Sequence, residues 1–181
     1  AIEEGFYFDF EFPTKKPTEA DLKKLEKEMR KILPSWKSFS RHELSTEEAK
    51  KEYPENPYKH ELIDEFTADG SKVSFYKSGD YWDLCRGGHV ENPAEDISPD
   101  SFKLDRIAGA YWRGDEKNTM LTRIYGLAFD TKDELDEYEK RLEEAKKRDH
   151  RLLAQKMDLF HVEDGMVYWH ANGWTIIKAM R

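Results

Sequence analysis

Apolar residues recur along this chain in short runs whose period changes several times. At Gly5–Phe12 a Phe falls on every second residue, which predicts a strand with one buried aromatic face. Pro13 and Pro17 end it, and Thr18-Glu19-Ala20-Asp21 reads as the cap of a helix with Leu22, Leu25, Met29, Ile32 and Leu33 on its apolar stripe. Pro34 stops that helix. A strand is expected through Trp36–Leu44. Ser45-Thr46-Glu47-Glu48 is a capping box for a short helix closed by Pro54. From Tyr58 to Phe129 the pattern favours strands, at 58–66, 72–76, 81–84, 102–107, 110–113 and 121–129. Asp69-Gly70 is read as a hairpin turn between the first two of these, and 92–99 as a loop. Helices followed by a strand-rich block, without regular alternation, predict an α+β fold, with a mixed or antiparallel sheet and packed helices.

Thr131-Lys132-Asp133-Glu134 opens a second charged helical stretch carrying Leu135, Tyr138, Leu142, Ala145 and Leu152 or Leu153. Running to about Met157 it would be about 40 Å long. Its segment 143–151 is nearly all polar, as expected of a connector solvated on most sides. An apolar pattern then restarts at Leu159, too briefly for a domain. The expected layout is therefore 1–130, a connecting helix at 131–157, and 158–181 as the start of a further domain. Because the chain opens in a strand and closes inside a helix, it is read as part of a longer protein.

Composition narrows the possibilities. Of 181 residues, 38% are charged and 13% aromatic, enough large side chains for a core. The 30 Lys and Arg are outnumbered by 38 Asp and Glu, for a net charge of −8. Generic nucleic-acid binding needs a basic face, so any RNA contact must be local and shape-specific. The single cysteine excludes an internal disulfide. No apolar run reaches the roughly 20 residues that span a bilayer, and no leader-like segment opens the chain. A soluble, cytoplasmic protein with no membrane partner is expected.

Candidate chemistry concentrates in Tyr81-Trp82-Asp83-Leu84-Cys85-Arg86-Gly87-Gly88-His89. Two glycines let the backbone turn tightly where a strand ends. Cys85 and His89, four residues apart, can converge, and Asp83 shares the strand face of Cys85. Such a group can bind a metal, orient a water or pair a thiolate with an imidazole. Arg86 adds a fixed charge suited to phosphate or carboxylate. Equally, a lone Cys can be a small buried hydrophobe. With only Cys85 and His89 as metal ligands, the site is half made. A second group, 107–115 with 120–126, places Arg113 and Arg123 among aromatics and small residues. It reads either as a surface for RNA backbone and stacked bases or as a glycine-bent hairpin with packed rings. The basic residues of 140–151 alternate with glutamates and read as a solvated helix face.

Several of these stretches, taken together, resemble bacterial-type threonyl-tRNA synthetase. They are Asp83-Leu84-Cys85-Arg86-Gly87-Gly88-His89, Ala108-Gly109-Ala110-Tyr111-Trp112-Arg113-Gly114-Asp115, Arg123-Ile124-Tyr125-Gly126 and Leu142 through Arg151. The opening Glu3 through Phe10 and the closing Gly165 through Trp174 agree in the same order. The resemblance implies that 1–130 is most of an editing domain, 131–157 its linker helix, and 158–181 the start of a class II catalytic core. The parent would join threonine to tRNA(Thr) with ATP, as a homodimer with a catalytic zinc. The editing domain would hydrolyse serine wrongly attached at the acceptor end.

Carried over by motif, Cys85 and His89 match the family's Cys-x3-His, Asp83 the acidic residue before it, and Lys59 and Tyr76 further pocket positions. Cys85, His89, Asp83 and Lys59 are then the expected catalytic residues. Tyr76, Arg86, Arg113 and Arg123 are expected to bind substrate or RNA, and zinc at Cys85 and His89 stays open. The family commonly has Pro at the position of Gly88. Its editing site also uses a His-x3-His pair placed before residue 1, so the 181-residue chain alone is expected neither to aminoacylate nor to edit efficiently. Two other readings remain: a non-catalytic RNA-binding or structural module, and a free-standing deacylase of the alanyl type. The core-like start after Asp158 argues against the second.

Overall fold

The computed structural model describes residues 2–180. The fold is α+β, as the pattern predicts, and its contacts divide the chain into two units, 1–132 and 133–181. The first unit holds two antiparallel three-stranded sheets. One has the order β1-β6-β5, built from β1 (Gly5–Phe10), β5 (Phe102–Tyr111) and β6 (Met120–Ala128). Helix α1 (Glu19–Ile32) lies on β5, and Leu22, Leu104 and Ile124 form the buried centre with Phe6 and Met29 against them. The Asp21 carboxylate accepts from the Thr18 N–H (2.9 Å) and hydroxyl (2.8 Å), so α1 begins where the cap predicts.

The other sheet has the order β2-β3-β4: β2 (Ser40–Leu44), β3 (Val73–Ser78) and β4 (Tyr81–Leu84). The short helix α2 (Thr46–Lys51) and α3 (Pro57–Phe66) supply Ala49 and Ile63 to a core shared with Val73 and Phe75, all but Val73 fully buried. The Ser45 capping box starts α2 as predicted, with Glu48 accepting from the Ser45 N–H at 2.9 Å.

Several expectations need correction. Residues 58–66 are helical. Asn56 Oδ1 accepts from the Lys59 N–H at 3.0 Å and Pro57 occupies the first turn, so the Asn-Pro pair outweighs the strand-like run that follows. Asp69-Gly70 therefore turns a helix into β3 rather than joining two strands, with Gly70 at φ +80°. The strand expected from Trp36 begins only at Ser40, and 92–99 contains a helical turn, α4 (Pro93–Asp96). The two strands expected at 102–107 and 110–113 are one strand, β5. The aromatic face of β1 is mostly uncovered: Phe6 is packed, whereas Phe8 and Phe10 are 51% and 41% exposed.

The helix expected over 131–157 is two helices, α5 (Lys132–Lys147) and α6 (His150–Lys156). Asp149 leaves helical geometry and its side chain accepts from the Arg151 N–H at 2.8 Å, so a new cap inside the polar stretch starts a second helix. Beyond α6, β7 (Phe160–Glu163) and β8 (Met166–Trp169) form a hairpin, followed by α7 (Ala171–Ala179). Among the described residues no helix is long and apolar enough to cross a membrane.

Candidate functional site

At the end of β4, the edge strand of its sheet, Asp83 and Lys59 of the expected site residues meet. Tyr76 on β3 lies opposite Asp83, so the two share a face, and Cys85 continues the pairing through its N–H to the Ser74 carbonyl at 3.0 Å. Asp83 is the hub. Its Oδ1 receives the Lys59 ammonium at 2.6 Å and the Tyr53 hydroxyl, while Oδ2 has the Tyr81 hydroxyl at 3.4 Å. The side chains of Lys59 and Asp83 are only 25% and 19% exposed, which strengthens their attraction relative to a surface pair. Lys59 is presented by the first turn of α3, so the Asn56 cap that starts that helix also places the ammonium. Lys59 lies as well over the Tyr53 ring, 5.2 Å from its centroid.

Burial and the neighbouring Asp83 push the Tyr53 phenol well above its ordinary value. Burial, then the Asp83 charge, does the same to Tyr81. Both phenols are therefore neutral donors near neutral pH. Tyr81 opens the candidate stretch itself, whereas Tyr53 carries no motif signal: it is thirty residues from Asp83 in sequence, and only packing brings it there.

After Cys85 the chain turns through Gly87 (φ +109°) and Gly88 (φ +81°). A Cβ on Gly87 would sit 2.7 Å from the Tyr76 hydroxyl, so glycine is required both by the backbone and by that close approach. Proline, fixed near φ −65°, could not adopt the conformation of Gly88, and this loop differs locally from one built around Pro. The turn carries the exposed His89 ring to a stack on Phe39 (4.1 Å between centroids, 28° between planes) and against Tyr76 at 4.4 Å. Cys85 is half-buried beside Tyr81 and Asp83. Tyr76 thus links the imidazole side of the loop to the carboxylate side of the strand.

The other predicted residues are placed differently. The Arg86 guanidinium lies over the Phe66 ring at 4.3 Å. Arg113, left-handed at φ 58°, binds Glu61 (2.9 Å) and Glu65 (2.5 Å) on α3, and the Trp112 ring N–H joins it on Glu61 at 2.7 Å. Arg123 makes a two-pronged pair with Asp9 across β1 and β6, both bonds 2.7 Å, and lies over Tyr7 at 4.0 Å. Arg113 and Arg123 therefore already hold carboxylates of this chain. Among the described residues no group of three or more His, Cys, Asp or Glu side chains is placed to hold a metal ion. Zinc sites take at least three protein ligands. Cys85 and His89 alone do not fit one, and no step below passes through a metal.

Residues 73–125, which run from β3 into β6 and include every predicted site residue except Lys59, match the family described as "Threonyl and Alanyl tRNA synthetase second additional domain". Nearly the whole chain also aligns with threonine–tRNA ligases. It is 44% identical over 184 residues to that of Rhodopseudomonas palustris, covering 99% of this chain and 27% of the relative. Against the ligase of Thiobacillus denitrificans it is 46% identical over 182 residues, covering 97% and 28%. The ligase of Borreliella afzelii gives 48% over 179 residues, covering 97% and 30%. Along nearly its whole length the chain is thus similar to one segment of threonine–tRNA ligases. It spans less than a third of the length of the curated relatives it matches.

Proposed function

We propose that residues 1–130 form most of an editing domain that hydrolyses Ser-tRNA(Thr), within a ligase that joins threonine to tRNA(Thr) using ATP. On this reading 131–157 connects it to a class II catalytic core beginning at 158, in a homodimeric, cytoplasmic enzyme. The carrying observation is that Asp83, in the segment that matches the synthetase-associated domain, pairs with Lys59, while Cys85 follows two residues on along the strand and His89 stacks on Phe39 and Tyr76. Such a site answers a chemical need. Serine lacks one methyl of threonine, and a missing methyl is worth only a modest factor in a binding pocket, so a second, hydrolytic site supplies the remaining discrimination.

In the reaction, water adds to the ester carbonyl, the oxyanion collapses, and the bond to the ribose oxygen breaks to release serine and the tRNA hydroxyl. His89 and Cys85 position the water and the ester. Lys59 spends one of its three donors on Asp83 and keeps others for charge developing on the carbonyl or ribose oxygen. Asp83 Oδ2, with only a 3.4 Å phenol contact, accepts the serine ammonium. Tyr76 and Arg86 border the loop where the RNA end would lie.

The test is release of serine from Ser-tRNA, with Thr-tRNA as control, by the whole ligase carrying this chain, as wild type, Cys85→Ala and His89→Ala. Serine release should fall by about a hundredfold or more in at least one variant. Unchanged release in both would instead make these residues packing elements of a non-catalytic RNA-binding module.

A further inference from the structure

Tyr53 follows α2, with its ring in the core at 5.7 Å and 25° from the fully buried Phe75. Its hydroxyl emerges at the open edge of β4. The Cys85 N–H points inward to Ser74, so the Leu84 N–H, one residue earlier, points outward. The Tyr53 oxygen accepts from that N–H at 2.8 Å, and the phenol hydrogen goes to Asp83 Oδ1. Capping the edge does not itself need this phenol, because Asp83 Oδ1 also lies 2.8 Å from the Leu84 nitrogen. What the phenol adds is a donor to the carboxylate. A carboxylate torsion is broad and two-fold when unrestrained. With Tyr53, Lys59 and the Leu84 N–H all on Oδ1, that oxygen is saturated and Oδ2 is left with the Tyr81 hydroxyl alone, at 3.4 Å.

We propose that Tyr53 is a positioning residue of the deacylation site, locking Asp83 so that Oδ1 anchors Lys59 while Oδ2 faces the substrate. The assignment rests on the deacylase reading of that site. Tyr53→Phe keeps the ring stack and removes only the hydroxyl.

In the whole ligase, Ser-tRNA deacylation is measured for wild type, Tyr53→Phe, Asp83→Asn and the double variant, each with its thermal unfolding. Loss of one hydrogen bond to a charged group should lower kcat of Tyr53→Phe about tenfold, with KM within about twofold. Because Tyr53 acts through Asp83, the double variant should be no slower than Asp83→Asn alone. A wild-type kcat for Tyr53→Phe overturns the proposal. So do multiplying effects in the double variant, or a rate loss matched by the fraction of protein unfolded. An Asp83→Asn variant that deacylates at the wild-type rate overturns the site reading itself, and with it this role of Tyr53.

Discussion

Arg123 offers the sharpest separation between holding the fold and holding RNA. Its guanidinium makes two 2.7 Å bonds to Asp9 and lies 4.0 Å from the Tyr7 ring centroid, with Arg123 and Asp9 side chains 24% and 20% exposed. Two charge-assisted bonds at roughly 1.5 kcal/mol each, halved for partial exposure, give about 1.5 kcal/mol. The ring contact adds about 0.5 kcal/mol. Arg123→Gln should therefore destabilise the first unit by about 2 kcal/mol, a fall in Tm of about 6 °C for a unit of this size. Asp9→Asn should cost a similar amount. In a double-mutant cycle followed by thermal unfolding of the 181-residue chain, the pair should couple by about 1.5 kcal/mol. Additive effects, or an Arg123→Gln variant with unchanged Tm whose parent ligase no longer binds tRNA, would refute the assignment of this arginine to the β1–β6 junction.

Two further outcomes follow from local geometry. A Cβ at Gly126 would sit 2.3 Å from the Phe6 ring, so Gly126→Ala should displace that ring from the α1 core and cost about 1–3 kcal/mol in unfolding experiments. The Glu48 carboxyl, held by the Ser45 N–H and hydroxyl, sits below its ordinary 4.5. A depressed value means its support of α2 is present above pH 4.5 and is lost as pH falls through the folded value. NMR titration should find Glu48 shifted upward in Ser45→Ala; an unmoved midpoint would exclude the hydroxyl as a cause.

Local signals in the sequence marked those elements whose caps and periods agree. The Thr18 and Ser45 caps, the 81–84 strand and the glycine turn before His89 stand where the pattern puts them, because each depends on neighbours within a few residues. The aromatic and aliphatic residues of the helix at Pro57–Phe66 also suit a strand, and the deciding Asn56 cap precedes the run. The apolar period of β1 implied a cover that its face has only at Phe6. At the site, Asp83, Cys85 and His89 were visible as one short motif. Tyr53 was not, since a phenol aimed at a carboxylate thirty residues away is a product of packing between distant segments and leaves no spacing to count. The carboxylate partners of Arg113 and Arg123, Glu61, Glu65 and Asp9, lie about 50 to 114 residues away, beyond the reach of local spacing.

An outer strand with bare amide hydrogens is an invitation for a foreign strand to zip alongside, the first step in sheet-to-sheet association. On β4 the outward Leu84 amide is already taken by the phenol of Tyr53 and the carboxylate of Asp83. The side chains gathered around Asp83 thus also close this edge to a neighbouring backbone, and loosening them would open it to sheet-to-sheet association.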